Sequence, residues 1–194
     1  RLDPPQGYLA GGEIEFLGVD AAIDEDGVRL DAVEVLNVQA LGLRDDLFKP
    51  WSWFARLGAS RVRPSSDEPG ALGGTLDGGG GLAIAPFRGA QAYALAAARA
   101  EANEDLDRGH DLGAGLRLGL AVQRTSPLSI ELSGSVLAGV AGAETDRVLL
   151  DVGLQWSVGV DNGLRLGWQL DWRRIDGAPD TRDDAFDLRW LHYF

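Results

Sequence analysis

The sequence predicts an all-β fold: an antiparallel, membrane-crossing barrel of about ten strands, with roughly eight to twelve allowed by the length. Residues 1–194 form it as a single domain. Three observations carry this expectation. Apolar residues recur at every second position over most of the chain, the period of a strand whose faces meet different surroundings. The opposing positions are small or charged and draw on a pool of 27 glycines. No run of 18 or more apolar residues occurs, so no membrane helix is encoded, whereas a β-barrel carries its membrane signal in alternation.

Composition narrows the function classes. A net charge of −12 argues against nucleic-acid binding, because no surplus of cations is present to neutralise phosphates. The absence of cysteine removes disulfides, thiolate metal sites and thiol nucleophiles. The chain opens Arg1-Leu2-Asp3-Pro4-Pro5 with no initiator methionine and no basic-then-apolar leader, as expected of a processed or trimmed chain.

In chain order, residues 8–22 and 28–41 read as a hairpin around Asp24-Glu25-Asp26-Gly27, and Glu34 breaks the alternation as a bulge would. Residues 51–63 and 76–86 form the next pair. Residues 90–103 are ambiguous, since their alanines favour a helix. Gln91, Tyr93, Leu95, Ala97, Arg99, Glu101 and Asn103 nevertheless alternate strictly with alanines, which favours a strand. Residues 112–123 follow, then the turn Arg124-Thr125-Ser126-Pro127 and a strand over 128–140. The clearest strand is 148–160, where seven apolar residues from Val148 to Val160 oppose Leu149, Asp151, Gly153, Gln155, Ser157 and Gly159. Asp161-Asn162-Gly163 is a strong hairpin signal, and residues 164–173 repeat the pattern.

The last segment ends Trp190-Leu191-His192-Tyr193-Phe194, and counting back in twos from Phe194 gives His192, Trp190, Leu188 and Phe186. This resembles the C-terminal signal strand of bacterial outer-membrane barrels, with His192 where an aromatic residue is usual. The resemblance implies a chain end on the periplasmic side and, with an even strand count, both termini there. Links at 161–163, 124–127 and 87–89 then become periplasmic turns, and links at 175–184, 141–147, 104–111, 64–75 and 24–27 extracellular loops. The segment 44–50 is long for a periplasmic turn.

The polar faces mix small residues with both signs of charge: Glu13, Glu15, Arg56, Arg99, Glu101, Arg117, Glu131, Asp151, Arg165, Asp171, Arg173, Asp187 and Arg189. Such a set suits a narrow lumen filled by side chains and salt bridges rather than a wide pore. Lys49 is the one lysine among 18 cations, and arginine is the better partner for buried carboxylates. Trp51, Trp53, Trp172, Trp190 and Tyr193 fall near expected strand ends, as in an interfacial girdle, and Trp156 and Trp168 lie further in.

Gly7-Tyr8-Leu9-Ala10-Gly11-Gly12-Glu13-Ile14-Glu15-Phe16, residues 33–41, and Arg44-Asp45-Asp46-Leu47-Phe48-Lys49-Pro50-Trp51-Ser52-Trp53 resemble the C-terminal part of a bacterial family of unassigned function that carries an Lnb-like N-terminal periplasmic domain. Gly78-Gly79-Gly80-Gly81 matches that family's glycine-rich strand. The resemblance implies a barrel attached to a periplasmic domain and brings no catalytic residues. It also gives the link at Arg44, Asp45, Phe48 and Pro50 a role in docking that domain.

Other chemistry is thinly encoded. A lipid-modifying enzyme of the Ser-His type would have only His110 and His192 as bases, neither with a serine suitably placed in sequence. Acidic loops around Asp24, Asp105 and Asp180 lack calcium-loop spacing, and Gly78–Gly81 lacks the Lys and Ser/Thr of a phosphate loop. No cofactor or metal is expected. The expected role is anchoring and positioning a periplasmic domain at the bacterial outer membrane. The expected partners are outer-membrane lipids, the barrel-assembly machinery during insertion and the periplasmic domain of the same protein, with no nucleic acid. A lipid-modifying enzyme and a soluble lipocalin-like barrel are the alternatives.

Overall fold

The computed structural model describes residues 12–24, 27–44, 49–62, 71–104, 106, 108–123, 127–158, 162–174 and 180–192, with side chains from residue 33 onward except 60–62, 71, 187 and 189–192. All of its regular elements are strands: β1 (Gly12–Asp24), β2 (Gly27–Ala40), β3 (Leu43–Arg44), β4 (Ser52–Val62), β5 (Ala71–Ile84), β6 (Ala90–Ala102), β7 (His110–Gln123), β8 (Leu128–Gly142), β9 (Asp146–Ser157), β10 (Asn162–Arg174) and β11 (Thr181–His192). Ten of them form one antiparallel sheet in the order β1-β2-β4-β5-β6-β7-β8-β9-β10-β11, curled into a half-barrel. No helix among the described residues is long and apolar enough to cross a membrane, which says nothing of a β-barrel.

The two-residue β3 is the addition that alternation does not reveal. Because β4 starts at Ser52, opposite Gly81, the end of β5 extends past it, and β3 pairs in parallel with Ala83 and Ile84 to cover that exposed edge. Ser52 Oγ donates to the Gly42 carbonyl oxygen (3.3 Å), fixing the link to the start of β4.

The alanine-rich segment is strand β6, hydrogen-bonded along its length to β5 and β7. Two ladders outweigh the intrinsic helix preference of alanine. The expected irregularity at Glu34 is a bulge between Glu34 and Leu36, with Val35 as the extra residue facing outward. It lets Glu34 stay on the inner face while Leu36 keeps the outer phase. A second bulge between Leu112 and Gly113 leaves Val140 extra on β8.

Two turns differ from the sequence expectation. Asn162 and Gly163 already belong to β10, with Gly163 opposite Ser157, so the hairpin closes earlier; the Val158 amide donates to the Asn162 carbonyl (2.7 Å). The link expected over 141–147 shrinks to residues 143–145, because β8 runs to Gly142 and β9 begins at Asp146. Glu144 has φ of 54° there, the Ala143 amide donates to the His110 carbonyl and the Thr145 amide to Asp111 Oδ1. The difference in link length between the two rims is therefore smaller than alternation suggests.

The two faces of the sheet differ in chemistry. On β6 the inner set Gln91, Tyr93, Leu95, Ala97, Arg99 and Glu101 is buried, and with Leu41, Phe54, Ala83 and Leu137 its apolar members form the packed centre. On β7 the outer set Leu112, Leu116, Leu118 and Leu120 is exposed. The same holds for Leu57, Leu76 and Leu82, for Ile130, Leu132 and Val136, for Leu150, Val152, Leu154 and Trp156, and for Leu166. This inverts the arrangement of a water-soluble sheet, whose apolar face is the covered one.

Candidate functional site

The inner face holds two groups of paired charges. The first lies toward the rim of the 143–145 link. Arg99 Nη2 contacts Glu101 Oε2 at 2.5 Å, and Arg99 Nε lies 3.9 Å from Asp77 Oδ1. Arg147 grips Asp171 with two parallel hydrogen bonds (Nε to Oδ1 2.7 Å, Nη2 to Oδ2 2.6 Å), the fork-on-fork geometry that arginine supplies and lysine cannot. Arg173 adds two further donors to Asp171 Oδ2 (Nε 3.0 Å, Nη2 2.8 Å) and lies in the field of Glu101. The two halves thus approach each other from β6 and β10.

The second group is more central. Arg56 on β4 pairs with Glu34 on β2 (3.5 Å), and Arg165 on β10 with Glu131 on β8 (3.3 Å). Ser133 Oγ donates to Asp151 Oδ2 (3.2 Å), and the guanidiniums of Arg56, Arg117 and Arg165 all act electrostatically on that carboxylate. Arg117 lies over the Phe54 ring, 4.8 Å from its centroid, an attraction between a cation and the negative face of an aromatic ring. Tyr93 lies against Gly119, where a Cβ would overlap its ring, and beside Arg117 and Ser133. Gly153 likewise leaves room for the Arg165 guanidinium, whose Nη2 would be 3.2 Å from a Cβ there. Opposite charges in contact are what make such burial tolerable, because an unpaired buried ion costs several kcal/mol (about 3–5).

Of the charges expected inside, Arg56, Arg117, Glu131, Asp151, Arg165 and Asp171 all lie on this face and in these groups. Glu13 and Glu15 sit at register positions opposite Gln39 and Asn37, and Arg189 opposite Arg165; their side chains are outside the described residues. Phe186 and Leu188 are exposed, at 78% and 68%, on the outer face of β11. Trp190 is in register with Leu164 on that same face, and Phe194 is outside the described residues. Of the proposed docking link, Arg44 belongs to β3 and Pro50 is exposed beside Gly42, while Asp45 and Phe48 are outside the described residues.

Sequence reasoning missed several members. Arg147 falls in the link expected over 141–147, yet it shares the two-residue phase of Leu149 and Asp151 and lies one step along it in β9. Asp77 shares the phase of Gly79 and Gly81 and faces Arg56 across the ladder. Glu34 registered only as an interruption, although an acid breaking an apolar phase is the mark of an inward partner. The contact of Arg117 with Phe54 had no sequence signal, because β5 and β6 separate the two strands.

His110 is exposed, with Nδ1 3.0 Å from the Arg108 carbonyl oxygen, and the His192 side chain is outside the described residues. Among the described residues no three His, Cys, Asp or Glu side chains gather as metal ligands.

A family model described as a domain of unknown function, DUF7840, matches residues 1–193, so it spans the whole of the sheet and its charged face. The chain belongs to the DUF7840 family. No curated protein and no solved structure matches it. The DUF7840 domain pairs an exposed apolar outer face with a charged, closely packed inner one.

Proposed function

We propose that the DUF7840 domain is an outer-membrane β-barrel that anchors and positions a periplasmic domain of the same protein. Outer-membrane lipids surround it, the barrel-assembly machinery inserts it, and both termini face the periplasm. The observation that carries the proposal is the outer face. Leu116, Leu118, Ile130, Leu132, Val136, Val140, Leu154, Trp156, Leu166, Phe186 and Leu188 are all exposed, on strands that are neighbours in the sheet. Soluble monomers rarely expose apolar patches beyond a few hundred Å², whereas lipid tails satisfy such a band. A lipocalin-like barrel turns its apolar strand residues toward a cavity, whereas here most of them are exposed on the outer face and the inner face carries ion pairs around a small packed centre. The described strands have 11 to 15 residues, apart from β3, enough to cross a bilayer core at a tilt. The anchoring role draws on the resemblance of residues 7–63 to chains with an Lnb-like periplasmic domain.

The test is expression with a secretion signal, fractionation, and electrophoresis of the detergent-extracted protein with and without boiling. A membrane barrel partitions with outer membranes and migrates differently when heated. Recovery of the folded chain in the soluble fraction without detergent overturns the proposal.

A further inference from the structure

The sheet has two free edges. β1 and β11 stand at opposite ends of the strand order, each paired on one side only. The described residues of β11 from Arg182 to Phe186, and Leu188, are exposed in both phases. On β10 the inner Asp171 is buried, whereas Asp183, opposite it on β11, is exposed. A strand within lipid needs partners along both sides, because a bare edge leaves its backbone N–H and C=O groups unsatisfied.

Direction, curl, register and charge each fit these two edges to one another. Ten strands alternating in direction leave β1 and β11 antiparallel. The curl carries Arg117 of β7 over Phe54 of β4, with two strands between them. Arg56 and Asp151, on the strands third from either edge, lie within each other's electrostatic reach, so two strands remain on each side to meet. Followed across the ladders, Glu15 of β1 leads through Asn37, Arg56, Asp77 and Arg99 to Gly113 of β7. Arg189 of β11 leads through Arg165, Gln155 and Ser129 to Gln123 of the same β7, ten residues further along. With Glu15 facing Arg189, the ring therefore closes with a stagger of ten residues over ten strands. The spacings of residues and strands turn that stagger into a strand tilt of about 35°, inside the range natural barrels use. The charges agree. Glu13 and Glu15 occupy the inner phase of β1 opposite the neutral Gln39 and Asn37, and Arg189 stands opposite another arginine, Arg165.

We propose that β1 pairs with β11 of the same chain, flush at Gly12 and His192, with Glu15 against Arg189 as the ion pair of the seam. This rests on the membrane-barrel function proposed above and deepens it by naming the strands and the register that complete the wall.

The experiment is disulfide trapping in the full chain, which has no cysteine of its own, in outer-membrane fractions. Each variant is first scored for heat-modifiable migration. Val19→Cys with Ala185→Cys, a facing pair in this register, forms a disulfide within one chain on mild oxidation. Its yield exceeds that of Val19→Cys with Thr181→Cys, four residues out of register, by about tenfold or more, because a disulfide needs closely placed Cα atoms. Glu15→Arg lowers the trapped yield of the facing pair, and adding Arg189→Glu restores it. Disulfides formed only between chains put a second copy on the edge and overturn the seam. Heat-modifiable, membrane-bound protein that traps neither pair, or both equally, also overturns the seam and leaves the membrane barrel intact. A reversal at Glu15 that Arg189→Glu does not rescue overturns the ion pair. A chain that traps the facing pair but is recovered soluble without detergent overturns the membrane barrel and keeps the seam.

Discussion

At the scale of single residues, glycine and arginine act as a pair of opposites on the inner face. Gly119 provides the flat surface on which the Tyr93 ring rests, and Tyr93 in turn borders Arg117 and Ser133. A methyl at 119 collides with the ring, which is buried and has little room to turn. Gly119→Ala is therefore expected to destabilise the fold by about 1–3 kcal/mol, the usual cost of overpacking. Urea unfolding in lipid vesicles measures it, and the same substitution on a Tyr93→Ala background should cost much less. A loss that is the same in both backgrounds would show that the ring contact is not the cause. Asp171 illustrates the converse logic, with two arginines on one carboxylate. The extra positive charge is offset by the nearby Glu101, so the group is balanced only as a network.

At the scale of the element, β7 condenses the behaviour of the whole sheet, with leucines on one face and glycines around one arginine on the other. Leu118 lies mid-strand on the outer face and is 55% exposed. In a lipid-embedded strand Leu118→Lys costs about 2–4 kcal/mol near the bilayer midplane. On a water-facing surface the same change is close to neutral. Unfolding of the variant in vesicles distinguishes the two, and a change near zero counts against lipid contact. Strands of this design were legible in the sequence because period-two alternation specifies both the element and its faces, which is why β6 to β10 and the inward charges could be assigned by phase. The small β3 was not legible, since two residues carry no period and the pairing depends on where β4 happens to start. Nor was the contact of Arg117 with Phe54, which depends on how tightly the sheet curls and hence on its accumulated twist. The Asn162-Gly163 pair misled for a related reason: a good turn dipeptide was absorbed into a strand when the flanking ladder extended over it.

At the scale of the molecule, the proposed orientation places the links at 85–89 and 158–161 in the periplasm and those at 103–109 and 175–180 outside. An epitope inserted within residues 175–179 should be labelled on intact cells, and one inserted after Phe87 only once the outer membrane is permeabilised. The reverse pattern would invert the barrel and remove the basis for a periplasmic domain tethered to its N-terminal end.

The sheet order has a consequence for how such a molecule is built. Each of the ten long strands pairs with the next one along the chain, apart from the small detour at β3, so the wall can grow one hairpin at a time with only short loops to close. The charges that act on one another across the hollow are different. Arg56 and Asp151 come from remote parts of the chain and come within each other's electrostatic reach only through the curl between their strands. A strand misaligned by one residue would turn its carboxylates to the outer face and its leucines inward. Attraction between charges on strands this far apart therefore favours a finished and correctly aligned wall over a partly built one.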